Sequence, residues 1–67
     1  MKHERASLRE ALEDCATLMH AFRKGLVTSD EVDVYLRMMA EYFGFRCDDW
    51  RAVTVIKEKQ MYPLPER

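Results

Sequence analysis

Apolar residues in the first two-thirds of the chain recur at three- and four-residue steps, the spacing that lines one face of an α-helix. The first series is Leu8, Ala11, Leu12, Cys15, Leu18, Met19 and Phe22, with Arg9, Glu10, Glu13, Asp14, Thr17 and Arg23 on the other side. It predicts an amphipathic helix over about residues 7–24. Ser7-Leu8-Arg9-Glu10 has the form of a capping box, in which the Ser7 hydroxyl and the Glu10 carboxylate each satisfy a backbone N–H. At the far end Arg23 and Lys24 complement the helix dipole, and Gly25 supplies the left-handed residue that stops the helix.

A second helix is expected over about 29–43. Thr28-Ser29-Asp30-Glu31 repeats the capping box, and Val27 and Val32 occupy the positions of a hydrophobic staple. Val32, Tyr35, Leu36, Met39, Tyr42 and Phe43 form its stripe, Gly44 ends it, and Phe45 folds back. A connection this short predicts an antiparallel helical hairpin.

The pattern is weaker beyond Gly44. A short third helix is expected over about 49–60, capped by Asp48, with Trp50, Val53, Ile56 or Lys57, and Gln60 or Met61 at helical spacing. The β-branched Val53-Thr54-Val55-Ile56 equally suits a strand, but a single strand has no sheet to join unless two copies pair. A helix that covers the open end of the hairpin with Trp50 is the simpler solution. Pro63 disfavours helix at Tyr62, so residues 61–67 should run extended. The fold class expected is all-α: a hairpin plus a short third helix, in one small domain spanning 1–67.

Length turns this outline toward self-association. A chain of 67 residues buries only about 60% of its unfolded surface, and a core that small rarely supplies more than about 3–5 kcal/mol. Pairing two hairpins into a four-helix arrangement would remedy this, so a homodimer is expected. The formal net charge of -1 removes the general attraction to nucleic acid or to an anionic membrane surface. No apolar run approaches the roughly 18 residues of a spanning helix, and no signal-peptide core follows the first residues. A cytoplasmic location and two reduced thiols, Cys15 and Cys47, are the corresponding expectations.

The candidate chemistries are few. His3, His20, Cys15 and Cys47 offer no Cys-x-x-Cys or His-x-x-x-His pair, and Cys15 and His20 fall on different helix faces, so no metal is expected. Cys15 then reads as core and His20 as a solvated helix residue. No cofactor or small-molecule substrate is expected, and no catalytic residue is assigned, since nothing suggests a nucleophile paired with a base in a water-excluding pocket. Asp30, Glu31, Asp33, Asp48 and Asp49 read as acids at helix starts. Asp30-Glu31-Val32-Asp33 matches a tetrapeptide cut by executioner caspases, but at a capped helix start it lacks the extended form a protease requires. As a helix-turn-helix reader the second helix would present Asp30, Glu31 and Asp33 to phosphate, which repels. A DNA-binding dimeric regulator would instead use Arg46, Arg51, Lys57 and Lys59 of the third segment; this is the alternative reading. Pro63-Leu64-Pro65 reads as a chain terminator rather than a polyproline ligand.

Protein binding has positive support. Val34 and Met38 lie one turn apart on a face adjoining the main stripe of the second helix, more than one partner helix can cover. Five methionines in a chain this short, with Met38 and Met39 beside Tyr35 and Tyr42, give adaptable and polarizable contact area. The expected interface is Val34, Tyr35, Met38, Tyr42 and Trp50. It serves either as the seam of a homodimer or as the site for a larger protein target, of which the chain would be a non-catalytic adaptor or an inhibitor that occludes a surface.

Overall fold

The computed structural model describes residues 7–64. They form three helices, α1 (Leu8–Arg23), α2 (Ser29–Phe43) and α3 (Cys47–Met61), and among the described residues there is no strand. The all-α class is therefore as expected. Among the described residues no helix is long and apolar enough to cross a membrane.

The first two helices start and stop where their local chemistry dictates. Ser7 caps α1 and Thr28 caps α2, each in a complete capping box with the glutamate three residues on. At the end of α1 the Gly25 and Leu26 amides donate to the Phe22 and Ala21 carbonyls, with Gly25 at φ 79°. Gly44 and Phe45 repeat the arrangement on Glu41 and Ala40, with Gly44 at φ 82°. Both closures are Schellman motifs, which satisfy carbonyls the helix end leaves free. Val27 and Val32, the staple positions, both pack into the core.

The third helix departs from expectation in two ways. It begins at Cys47, with Arg46 as an N-cap that makes no side-chain cap bond, so Asp48 is not the cap but lies in the first turn with Asp49. Its buried face is Trp50, Thr54 and Glu58, at four-residue steps. The apolar series taken at three-residue steps, Val53 and Ile56, is exposed. The indole explains the choice, because turning Trp50 fully inward brings the residues one and two turns later into line with it. Thr54 tolerates burial because its hydroxyl donates to the Trp50 carbonyl at 2.7 Å.

The core is a cluster of Ala11, Cys15, Met19, Val32, Leu36, Ala40 and Trp50, with Val55 of α3 and Phe43 of α2 packed against it. α1 touches both other helices and packs more extensively on α3 than on α2. Leu8 and Phe22, expected on the core stripe, are exposed, and Ala16 is buried in their place. Ala16 is fully buried at the middle of α1, whereas Leu8 and Phe22 stand at the two ends of the apolar series. After Met61 the chain leaves the helix at Tyr62, as Pro63 requires. Residues 1–6 and 65–67, including His3 and Pro65, lie outside the described residues.

Candidate functional site

Helix α2 turns Val32, Leu36 and Ala40 to the core and presents the opposite face outward. Val34, Met38 and Tyr42 follow one another along that outer face at successive turns and are 59%, 51% and 51% exposed. Tyr35 sits at its edge, half-buried against the core, and its hydroxyl pKa is raised by burial, then by the Asp14 carboxylate and Cys15. Leu18 of α1 joins Val34, Tyr35 and Met38 in a shallow apolar depression of about 360 Å³, closed at one end by Asp30 and Glu31. Four of the five residues expected at the interface thus lie on or beside one surface.

Trp50 does not. It is 1% exposed, with its N–H donating to the Cys15 sulfur and its ring near Phe43 and Phe45, so it makes the core rather than a surface contact. Its size suggested an anchor in either place, and α3 had room to bury it only because Thr54 and Glu58 accept burial beside it.

The basic residues of the third segment do not share a face. Arg51 is ion-paired with Asp33 of α2, which raises its guanidinium pKa, and Lys57 lies 3.7 Å from Glu13 of α1. Arg46 is exposed at the start of α3 and Lys59 near its end. Two of the four cations are therefore engaged on opposite flanks of the helix, one with α2 and one with α1.

A polar cluster that the residue pattern did not anticipate joins the ends of α1 and α3. Arg23 Nε donates to both Glu58 oxygens, at 2.9 and 2.7 Å, while Glu58 itself is only 5% exposed. The His20 Nδ1 lies 3.5 Å from Glu58 Oε2. The His20 ring stacks on Tyr62 at 3.9 Å, so His20 is not the solvated residue expected. The Tyr62 hydroxyl in turn lies 3.2 Å from Thr17 Oγ1. His20 and Arg23 are three apart on α1 and Glu58 is eight beyond Trp50, a signal visible in the sequence only once the four-residue ladder of α3 is chosen.

Among the described residues no group of three or more histidine, cysteine or acidic side chains is arranged to hold a metal ion. Both cysteines are free, Cys15 buried and Cys47 partly so. No protein-family model, curated protein or solved structure matches the chain.

Proposed function

We propose that the protein is a non-catalytic protein-binding module, with α1 and α2 as an antiparallel hairpin that pairs with a second copy through the outer face of α2. The observation that supports this reading is the line of exposed apolar side chains Val34, Met38 and Tyr42, beside half-buried Tyr35 and Leu18. A small chain gains by covering such a line, because buried apolar area contributes about 25 cal/mol per Å². The two α1–α2 pairs would form the four-helix centre of the homodimer, and on each copy Val53 and Ile56 of α3 are exposed. These side chains suit an adaptor or an inhibitor that lies on the surface of a larger protein.

The test is site-specific photo-crosslinking in the native host, with a benzophenone side chain placed at position 38 or at position 56. The expected result is an adduct to a second copy from position 38 and an adduct to a larger protein from position 56. Absence of protein adducts at both positions, while an otherwise identical folded control survives, overturns the protein-binding reading.

A further inference from the structure

The outer face of α2 carries a charge pattern as well as an apolar line. Met38 stands at its centre, with Val34 one turn before and Tyr42 one turn after. Arg37 and Glu41 are both exposed on one flank of that line. They lie one turn apart and opposite in sign, yet neither is ion-paired with the other or with any further described residue. Asp30, eight positions before Met38, and Arg46, eight positions after it, are likewise exposed and without an ion pair among the described residues. Reversed end for end about Met38, this flank brings each Arg37 toward a Glu41.

We infer that this face seats the same face of a second copy in antiparallel register, about a two-fold axis level with Met38. The inference rests on the self-pairing reading of α2 and adds its register and its charge contacts. In this register Met38 meets Met38 of the second copy, and Val34 lies opposite its Tyr42. An antiparallel two-fold brings like flanks together, so each Arg37 lies between Glu41 and Arg37 of the second copy, two attractive contacts against one repulsive, and Asp30 comes level with the end of the other α2, beyond which the exposed Arg46 starts α3. Each contact off the axis occurs twice, as an isologous interface requires, and the Met38 pair on the axis once. A parallel pairing would instead set the acidic first turns, with Asp30 and Glu31, side by side and hold the two copies of Arg46 level with each other. Such like-charge placement disfavours the wrong register.

Disulfide trapping tests the register in a C47S background, where the remaining Cys15 is buried. Upon oxidation M38C should cross-link to itself, V34C alone should not, and an equimolar mixture of V34C with Y42C should form the mixed dimer. In parallel, sedimentation equilibrium should show R37E weakening the dimer about tenfold and R37E/E41R recovering most of the loss, the scale expected of two symmetric surface ion pairs turned to repulsion. Efficient self-linking of V34C, or a dimer indifferent to R37E, overturns the antiparallel register while leaving self-pairing intact. A monomeric wild-type chain whose position 38 cross-links only to foreign proteins overturns the second copy as occupant but not protein binding.

Discussion

The indole N–H of Trp50 donates to the thiol sulfur of Cys15 across 3.2 Å, so that a single buried contact fastens α3 to α1 in the middle of the core. The Trp50 ring lies 6.0 Å from Phe43 at an interplanar angle of 14°, and 5.3 Å from Phe45. Burial pushes the Cys15 thiol pKa up, the Trp50 hydrogen bond acts in the opposite direction, and the neighbouring Asp14 carboxylate adds to the rise.

Cys15 should therefore be inert in the folded protein. The thiolate is the reactive form, and here it is both disfavoured and shielded. With a disulfide reagent at pH 8, Cys47 should react at once and Cys15 only at the rate at which the protein unfolds. In denaturant both should react together. Rapid labelling of two thiols in the native protein would contradict the buried Cys15–Trp50 contact.

The same shift sets an alkaline limit on stability. Below the ordinary thiol range, about pH 8.5, the folded and unfolded chains carry the same proton on Cys15. Above it the unfolded chain releases that proton while the folded chain holds it, so stability falls as pH rises toward the raised folded value. Tyr35, also raised, extends the loss to higher pH. Urea midpoints measured from pH 7 to pH 10.5 should decline, and C15A should decline less steeply.

Trp50 is the residue the core can least afford to lose. Truncating a buried tryptophan to alanine costs about 3–5 kcal/mol, comparable to everything a chain this short holds in reserve. W50A should be largely unfolded at 25 °C by circular dichroism. W50F keeps an aromatic ring beside Phe43 but gives up the N–H to Cys15, and it should remain folded with a loss of about 1–2 kcal/mol.

How much of this was legible in the sequence depends on the element. The bounds of α1 and α2 are written in local signals, two capping boxes and two glycines, which act within a few residues and need no knowledge of the fold. The rotation of α3 is not local. From Trp50 the sequence permits a three-step ladder through Val53 and Ile56 or a four-step ladder through Thr54 and Glu58, and hydrophobicity favours the first. The protein adopts the second because Thr54 satisfies its hydroxyl on its own helix, and because α1 supplies Arg23 and His20 to Glu58. The exposed line on α2 was legible as an apolar excess at Val34 and Met38, whereas Trp50, also placed there, was removed from the surface by that same rotation of α3.

Arg23 and Glu58 should be coupled energetically. Arg23 Nε reaches both carboxylate oxygens, and the hydrogen bond raises the guanidinium pKa, so Arg23 keeps its charge throughout the accessible range. Removing Arg23 leaves a buried carboxylate beside the His20 ring without its cation, a far worse state than removing both groups. Because the Arg23 side chain is itself half exposed, water can replace part of what it gives, which holds the expected loss for R23A to about 1–2 kcal/mol. R23K should lose less, since the contact uses one nitrogen rather than the two-pronged fork that lysine cannot copy. E58M removes the charge and keeps the volume, so R23A/E58M should be more stable than the two single losses added together. A coupling energy above about 0.5 kcal/mol in this double-mutant cycle, from urea midpoints at constant slope, is the expected result. Strict additivity would mean that Glu58 is solvated in solution and that its contact with Arg23 does not help hold α3 to α1.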